Sequence, residues 1–296
     1  MKISRKKFLR SLLGMAGAGI GLRHAPAAGR NLEKNALRNL GKTGLQVTPL
    51  AMGASRTMEP ALVQAALGRG IRFIDTGRAY ANGKNEMMIG NVLKGKRQQI
   101  VIQSKVKLPE GFASKTGTKE ALAHLEMKLH ESLQALQTDH VDVLLLHGIQ
   151  EEWILEDQVV REFFSRAKTT GKIRACGFST HKNHLALLEK ALAAGFFDVV
   201  MLPFNPFARF KHSISGWSAS WDQDSLIKAM QRAHDAGIGI VAMKTCSGGP
   251  YGGGQGDTPS MAGAVQWVTD KPYIACAAVA MANFSQLEEH ATRFGI

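Results

Sequence analysis

Short runs of β-forming residues alternate with helical patterns along most of the chain, and this alternation constrains the fold more than any other feature. The candidate strands are rich in aliphatic residues and lie at Pro49–Met52, Ile71–Asp75, Ile100–Ser104, Val141–Leu146, Ile173–Phe178, Val199–Leu202, Ile238–Met243 and Ile274–Val279. The candidate helices follow them at Glu59–Leu67, Asn85–Leu93, Lys119–Leu136, Glu152–Thr170, His184–Ala194, Asp222–Ala236, Met261–Thr269 and Gln286–Phe294. Since parallel strands need a long crossover connection, usually a helix, this order predicts repeated βα units.

Eight strands and eight helices in strict alternation predict a closed (β/α)8 TIM barrel of the α/β class. A barrel of this kind takes roughly 250 residues, so one domain at residues 28–296 accounts for the pattern. A doubly wound open sheet is the alternative. It is disfavoured because no candidate strand is followed directly by a G-x-G-x-x-G run. Before the first strand, Gly41-Lys42-Thr43-Gly44 predicts the turn of a hairpin that begins at Leu40.

Residues 1–27 have the three-part layout of an export signal. The basic opening MKISRKKFLR leads into the apolar run SLLGMAGAGIGL, and Ala25-Pro26-Ala27 forms an A-x-A-type cleavage site. The segment S-R-K-K-F-L-R resembles a twin-arginine signal, with Lys6 in place of the second arginine. We therefore expect an exported, periplasmic protein. The alternative is a cytoplasmic protein whose first residues form a helix on the domain, and the four glycines of the apolar run disfavour that helix.

The net charge of +13 does not by itself indicate a nucleic-acid-binding protein. Six basic residues and no acidic one precede Ala28, and the remaining basic residues are scattered among acidic ones. The sequence has no recognition-helix motif and no base-stacking aromatic stripe, so we expect no nucleic-acid partner. Three separated cysteines (Cys176, Cys246 and Cys276) match neither a disulfide framework nor a zinc spacing, so we expect no metal site. No apolar run reaches about 18 residues, and we expect a monomer without a stable membrane anchor.

Ionisable residues follow three consecutive candidate strands at the points where those strands end. The second strand ends at Asp75, and the loop after it carries Tyr80. The third strand leads to Lys105 and the fourth to His147. Each residue alone has an ordinary structural interpretation, such as a helix cap, a packed ring, a surface charge or a buried histidine. Because the carboxyl ends of barrel strands meet at one mouth, the four together predict an active site there.

These four residue types suit the protonation of an oxygen that gains negative charge. A tyrosine titrates at about pH 10 and is a poor acid at neutral pH, and an adjacent ammonium lowers the pKa of the phenol. We therefore predict that Tyr80 donates a proton, that Lys105 tunes it and that Asp75 anchors Lys105. His147 would orient the substrate oxygen by a hydrogen bond. A carbonyl oxygen gains such charge when hydride reaches its carbon, and a cofactor must supply that hydride.

The chain also carries a set of segments in a family-specific order: LGKTGLQVTPLAMG, FIDTGRAYANGKNEMMIG, VIQSKVKL, SLQALQTDHVDVLLLH, GKIRACGFSTH and SQLEEH. With these segments, nearly the whole chain after the signal resembles the aldo/keto reductase family. The resemblance places the family's catalytic Asp, Tyr, Lys and His at Asp75, Tyr80, Lys105 and His147. It implies a TIM barrel that reduces small-molecule aldehydes or ketones to alcohols with a nicotinamide cofactor, NADP, with NAD as the alternative.

The resemblance also implies cofactor contacts at the ends of the later strands. The family's Ser-Asn pair after strand five corresponds to Ser179 and Thr180, both of which can hydrogen-bond a carboxamide. The family's Gln on strand six corresponds to Met201, and its nicotinamide-stacking Tyr corresponds to Met243. A thioether can lie on an aromatic ring. Ordinary core packing is the alternative for both methionines.

The residues that would contact the adenine end of the cofactor match the family pattern less well in this sequence. Asn283 and Gln286, after strand eight, are the candidates for contacts there. The family often places a basic residue in this segment for the 2′-phosphate of NADPH, but the segment has none before Arg293. Lys244 or Arg209 is the candidate substitute.

Two loops have open interpretations. The glycine-rich loop TCSGGPYGGGQGD after strand seven fits a phosphate-binding loop, a lid that orders on cofactor binding or a merely mobile loop. The aromatic residues after strand six fit either a hydrophobic substrate wall or ordinary packing, and they are Phe204, Phe207, Phe210, Trp217 and Trp221. A second class of function also stays open, namely a barrel that binds nicotinamide cofactor as a sensor with little turnover.

Overall fold

Eight parallel strands close into a barrel, which confirms the predicted TIM-barrel fold. The computed structural model describes residues 36–112, 118–211, 216, 218–247 and 260–296. The predicted export signal therefore lies outside the described residues, as do Trp217 and residues 248–259 of the glycine-rich loop. No helix among the described residues is long and apolar enough to cross a membrane.

The barrel strands follow one another in chain order around the barrel, each parallel to its neighbours. They are β1 (Leu50–Gly53), β2 (Phe73–Asp75), β3 (Val101–Val106), β4 (Val141–Leu146), β5 (Ile173–Ser179), β6 (Val199–Pro203), β7 (Gly239–Met243) and β8 (Cys276–Ala280). The barrel is closed between β8 and β1, where Ala277 lies opposite Leu50 and Ala280 opposite Gly53.

One helix follows each strand and packs outside the barrel, which satisfies the crossover requirement of parallel strands. The helices are α1 (Pro60–Gly68), α2 (Lys84–Val92), α3 (Thr118–Leu136), α4 (Gln158–Thr169), α5 (His184–Ala194), α6 (Gln223–Asp235), α7 (Met261–Thr269) and α8 (Phe284–Phe294). The predicted bounds of β4, α5 and α7 agree with the structure.

The predicted helix Glu152–Thr170 is wrong in its first turn. Residues Glu152–Glu156 form a separate 3-10 turn, and α4 begins after Asp157. Asp157 has an extended backbone, and its carboxylate accepts from the N–H groups of Val159 and Val160. A side chain that caps the first N–H groups of a helix fixes the helix start, so the preceding turn is not part of α4.

Hydrophobic residues form two layers of core. One layer lies between the strands and the surrounding helices and includes Phe163, Phe164 and Phe178. The other fills the barrel interior and includes Phe73, Met201 and Met243. This division follows from the strand period of two, because alternate side chains point toward the interior and toward the helices.

The predicted hairpin before β1 is confirmed, although it begins earlier than Leu40, at Arg38. Residues Arg38–Asn39 pair with Gln46–Val47, and Leu40, Leu45 and Val47 pack with the interior residues of the barrel. The N–H of Lys42 donates to the carbonyl of Gly237, just before β7. The hairpin therefore covers the end of the barrel at which the strands begin, and it leaves the opposite end to the site.

Candidate active site

The side chains of Asp75, Lys105 and Tyr80 meet at the carboxyl ends of β2 and β3. Lys105 Nζ lies 2.5 Å from Asp75 Oδ1, 2.7 Å from the carbonyl oxygen of Thr76 and 3.1 Å from Tyr80 Oη. Asp75 and Lys105 are only 3% and 1% exposed. A buried ion pair with its hydrogen bonds satisfied holds its geometry tightly, since either charge alone would be costly there.

Tyr80 lies on a loop whose backbone conformation is unusual. Ala81 and Asn82 have positive φ angles of 48° and 52°, in a region that residues with a side chain rarely adopt, and Gly83 follows with φ 85°. The N–H of Arg78 donates to the carbonyl of Lys105, at 3.0 Å, and thereby ties the loop to β3.

The guanidinium of Arg78 is bound beneath this loop. It lies 2.8 Å from Glu86 of α2 and donates to the carbonyl of Glu131 of α3. It occupies the space beside Gly83, where a Cβ would lie 1.0 Å from one of its nitrogens. Gly83 is therefore required both by its backbone angle and by the arginine packed against it. Glu86 also accepts from the hydroxyl of Ser104, the residue before Lys105.

His147 lies directly after β4 and contacts Tyr80. The two rings pack edge to face, with 5.6 Å between their centres. The backbone N–H of His147 donates to the carbonyl of Val106, and its buried Nδ1 makes no hydrogen bond to any described residue. Burial, together with the positive charges of Lys105, His181 and Lys107, lowers the pKa of His147 to about 3. The imidazole is therefore neutral at physiological pH.

The structure thus brings the four sequence-predicted residues together at one mouth, but the predicted lowering of the Tyr80 pKa by Lys105 is outweighed by burial. Burial raises the pKa of Tyr80 above its ordinary value, and the nearby Lys105 ammonium opposes that rise without reversing it. Burial by itself would lower the pKa of Lys105, but Asp75 and Tyr80 together raise it. The site therefore holds a protonated phenol beside a charged ammonium at neutral pH.

Gln103 belongs to the site but has no counterpart in the sequence predictions. It lies on β3 two residues before Lys105, so its side chain points into the barrel on the same face. Its amide nitrogen Nε2 lies 2.7 Å from Asp75 Oδ1 and 3.3 Å from the sulfur of Met201. The only sequence signal is an uncharged polar residue at an interior position of an otherwise hydrophobic barrel strand.

The hydroxyl groups of Ser179 and Thr180 are both bonded to nearby backbone. Ser179 Oγ accepts from the N–H of Gly148 and donates to the carbonyl of Leu146. Thr180 Oγ1 donates to the carbonyl of Lys182 and accepts from the N–H of the same residue. Each hydroxyl oxygen has two lone pairs. By this count each of the two hydroxyl oxygens has one lone pair left, with which it can accept a further hydrogen bond from a ligand.

Met201 and Met243 are both interior residues of the barrel. Met201 is 2% exposed and contacts Gln103, whereas Met243 is the last residue of β7 and 7% exposed. The core-packing alternative therefore describes the side chain of Met201. Met243 is nearer the mouth in register, because it lies opposite Pro203 at the end of β6.

Asn283 and Gln286 cap helix α8. Asn283 Oδ1 accepts from the N–H of Gln286, and Gln286 Oε1 accepts from the N–H of Ala282. The arrangement resembles a capping box, except that Gln286 accepts from the residue before the cap, and it accounts for both side-chain oxygens.

Basic side chains lie after β6 and β7 on the same rim. Lys244 follows β7 with a φ of 56°, and its ammonium lies 5.7 Å from the centre of the Phe210 ring. Burial and the positive charge of Arg56, after β1, lower the pKa of Lys244. Arg209 begins a short two-stranded ribbon after β6. This part of the rim therefore carries positive charge.

The aromatic residues after β6 are divided between core and rim. Phe204 is fully buried and packs on Trp267 and Tyr273, which supports the packing interpretation for this residue. Phe210 is buried beside His181. Trp221 packs edge to face on His184 of α5.

Among the described residues, no three His, Cys, Asp or Glu side chains are grouped so that they could hold a metal ion.

Sequence comparison identifies one family. The model of the aldo/keto reductase family matches residues 49–291. Relatives from Bacillus subtilis include the aldo-keto reductase YhdN, 29% identical over 50% of this chain and 44% of its own length. The uncharacterized oxidoreductase YrpG is 28% identical over 72% of this chain and 67% of its own length. The match to YhdN therefore spans less than half of that relative.

Solved structures share the fold. The candidate aldo-keto reductase PA4992 of Pseudomonas aeruginosa matches with a TM-score of 0.67 and 24% identity, over 88% of this chain and 94% of its own. The aldo-keto reductase AKR11C1 of Bacillus halodurans, in its holo form, matches with a TM-score of 0.66 and 21% identity, over 88% and 91%. At sequence identities below 25%, this structural likeness shows a shared barrel fold and nothing more specific.

Proposed function

This chain belongs to the aldo/keto reductase family, and from that premise we propose that it is an oxidoreductase that reduces aldehyde or ketone carbonyls to alcohols. One observation carries the proposal: Lys105 Nζ lies 3.1 Å from Tyr80 Oη and 2.5 Å from Asp75 Oδ1. A phenol paired with a buried, charge-compensated ammonium is suited to giving its proton to an oxygen that becomes negative.

Tyr80 is the proton donor in this proposal. Because burial raises its pKa, the phenol is fully protonated at neutral pH and available as an acid. Lys105 stabilises the phenolate that remains after the transfer, since a positive charge at this distance favours the anion. Asp75 keeps Lys105 charged and in place despite its burial.

His147 orients the substrate oxygen in this proposal. Its pKa of about 3 keeps the imidazole neutral, so that one ring nitrogen carries a hydrogen and the other accepts. A neutral imidazole can donate one hydrogen bond to a carbonyl oxygen without competing with Tyr80 as the acid. The edge-to-face contact with Tyr80 puts both groups beside the same volume of the mouth.

The cofactor in this proposal is NADP, with NAD as the alternative, and it supplies the hydride when bound. The positive charge of the rim from β6 to β8 complements the negative phosphates of such a cofactor, because Lys244 and Arg209 lie there. Asn283 stands at the amino end of α8, where N–H groups also favour anions. Ser179 would accept from the carboxamide, and Met243 would lie near the nicotinamide ring. Thr180 Oγ1, which like Ser179 Oγ donates one hydrogen bond and accepts one, could accept from the same carboxamide. Met201 would shape the site, since its sulfur already contacts Gln103.

The test is a fluorescence titration of the purified protein with NADPH and with NADH, followed by turnover assays on a panel of aldehydes and ketones. We expect tighter binding of NADPH and consumption of either reduced cofactor only when a carbonyl is added. Binding without consumption across the panel would favour the alternative of a sensor. The absence of binding to both cofactors would refute the proposal.

We also propose that residues 1–27 direct export to the periplasm as a twin-arginine-like signal. The support is the basic opening, the apolar run and the A-x-A-type site in the sequence. Twin-arginine export carries folded proteins, so a cofactor could be bound before transport. Fractionation of cells that express the wild type or Lys6→Gln tests this proposal. A wild-type protein found wholly in the cytoplasm would contradict it.

A further inference from the structure

Gln103 is a polar side chain in an apolar part of the barrel interior. It is fully buried, and its strand positions it opposite Asp75 on β2 and Val143 on β4. The interior residues around this level are hydrophobic and include Phe73, Val143 and Met201. Packing alone would be satisfied by an apolar side chain of the same length, such as methionine.

The side-chain amide of Gln103 forms hydrogen bonds through its nitrogen, whereas its oxygen has no partner among the described residues. Its Nε2 donates to Asp75 Oδ1 at 2.7 Å and to the Met201 sulfur at 3.3 Å. Its Oε1 is buried and has no hydrogen-bond partner among the described residues. The opposite orientation of the amide would bring its oxygen against the Asp75 carboxylate, so the charge of Asp75 fixes which end faces it.

A buried carbonyl oxygen without a hydrogen-bond partner destabilises the folded protein. Glutamine at position 103 therefore lowers the stability of the fold unless another contact of its amide offsets this. The strong polar contact that the amide supplies is its donation to the Asp75 carboxylate, since the Met201 sulfur is only a weak acceptor. Asp75 Oδ1 therefore accepts from two donors, Lys105 and Gln103, which approach it from adjacent positions of the same face of β3.

We propose that Gln103 is a positioning residue that holds the Asp75 carboxylate in place beneath Lys105 and shares its negative charge, so that the ammonium of Lys105 stays directed at Tyr80. The proposal rests on the proposed function of Tyr80 as proton donor. Without the amide donor, Asp75 would pair more completely with Lys105. The share of the Asp75 charge that the amide no longer neutralises would also favour the neutral phenol over the phenolate.

The titratable groups that act on Asp75 and Tyr80 come from three other strands of the barrel, β3, β4 and β8. Lys105 faces Asp75 and Tyr80 from β3, and His147 faces Tyr80 from the end of β4. Cys276 lies across the barrel on β8, where burial and then Asp75 raise the pKa of its thiol. The thiol is therefore neutral, and the change expected on removal of the amide is carried by Asp75, Lys105 and Tyr80.

The experiment compares Gln103→Met with the wild type by two measurements. The first is the pH profile of kcat and of KM for carbonyl reduction. The second is the titration of the Tyr80 phenol in the cofactor-free protein, read as the ultraviolet absorbance of tyrosinate after subtraction of the Tyr80→Phe titration. For Gln103→Met we expect a fall in kcat of about five-fold, the factor of one ordinary hydrogen bond, with KM nearly unchanged. We also expect the phenol to titrate at higher pH.

Val143→Ala is the matched control, because Val143 lies opposite Gln103 in the strand register and its truncation removes only apolar atoms. It should leave both the phenol titration and kcat nearly as in the wild type. If Gln103→Met fails to fold, Gln103→Asn provides the same test, since it keeps an amide but withdraws it from Asp75 by one methylene group.

Three outcomes separate this inference from the proposed function. An unchanged phenol titration and kcat in the Gln103 variant would overturn the inference. Equal effects of Gln103→Met and Val143→Ala would also overturn it, because the role would then be one of packing. A wild type without turnover would refute the proposed function, while the phenol titration would still decide whether Gln103 acts on Tyr80 through Asp75.

Discussion

The ammonium of Lys105 lies 3.1 Å from the hydroxyl oxygen of Tyr80 and 4.8 Å from the centre of its ring. The two residues come from different strand ends, and their contact depends on a buried carboxylate, Asp75, that compensates the ammonium. The phenol is thus next to a fixed positive charge that is itself almost fully buried. In such surroundings a charge acts more strongly than it does in bulk solvent.

Lys105→Met should reduce carbonyl reduction by about 10²-fold or more, because a phenol without a neighbouring cation is a weaker acid in a buried site. The same variant should lower the free energy of unfolding by about 3–5 kcal/mol, since it leaves the Asp75 carboxylate buried and unpaired. Steady-state kinetics and urea-induced unfolding measure the two effects.

The double variant Lys105→Met/Asp75→Asn separates those two effects. It removes the unpaired charge and should regain most of the lost stability, while activity stays low. Wild-type turnover in Lys105→Met at neutral pH would argue against the pairing of Lys105 with Tyr80.

Arg78→Met should disturb the loop that carries Tyr80. Arg78 binds Glu86 at 2.8 Å and fills the space beside Gly83, so its loss should loosen residues 77–83 and lower kcat several-fold. Stability should fall by about 3 kcal/mol because Glu86 is left buried without its partner. The variant is measured by kinetics and by urea-induced unfolding at one pH.

Arg97→Met is the matched control for Arg78→Met. Arg97 binds the buried Asp142 at 2.9 Å and also donates to the backbone, but it lies before β3, at the end of the barrel opposite the site. Arg97→Met should lower the free energy of unfolding by a similar amount, with little change in kcat. An equal loss of kcat in both variants would mean that Arg78 acts through general stability and not through the loop.

The stability of the protein should fall on acidification partly because of His184. Burial lowers the pKa of this imidazole from 6.5 to about 4. Between these two values the unfolded chain binds a proton that the folded chain does not, so the free energy of unfolding falls as pH decreases. At pH 5 the expected contribution of His184 is about 2 kcal/mol relative to pH 7.

His184→Phe tests that contribution, since it keeps an aromatic ring against Trp221 and removes the titrating group. Urea-induced unfolding at pH 7 and pH 5 gives the pH dependence of each protein. The variant should lose less stability than the wild type between these pH values. An identical loss in both proteins would show that His184 is not buried in its neutral form.

The fold was predictable because its signals are local and repeated. Aliphatic runs such as Val141–Leu146 alternate with helical patterns such as His184–Ala194, and strict alternation leaves few arrangements other than parallel βα units. The start of α4 was not predicted, because Asp157 is both a possible helix residue and the cap that excludes the turn before it. Capping depends on backbone angles that the hydrophobic pattern does not report.

The meeting of Asp75, Tyr80, Lys105 and His147 was predictable from strand ends alone, since a barrel brings those ends to one mouth. The net rise of the Tyr80 pKa was not predictable. It arises because burial of the phenol outweighs the nearby positive charge, and the depth of burial is not visible in the sequence. Gln103 was missed for a similar reason. One glutamine in a strand forms no pattern, and its contact with Asp75 depends on the register between β2 and β3.

The account depends most on Tyr80 as the source of the proton. The direct test is a single-turnover measurement in which protein loaded with reduced cofactor is mixed with a carbonyl substrate, for the wild type and for Tyr80→Phe. We predict that the rate of cofactor oxidation falls by about 10²- to 10⁴-fold in Tyr80→Phe, with cofactor affinity nearly unchanged. A wild-type rate in Tyr80→Phe would contradict the account.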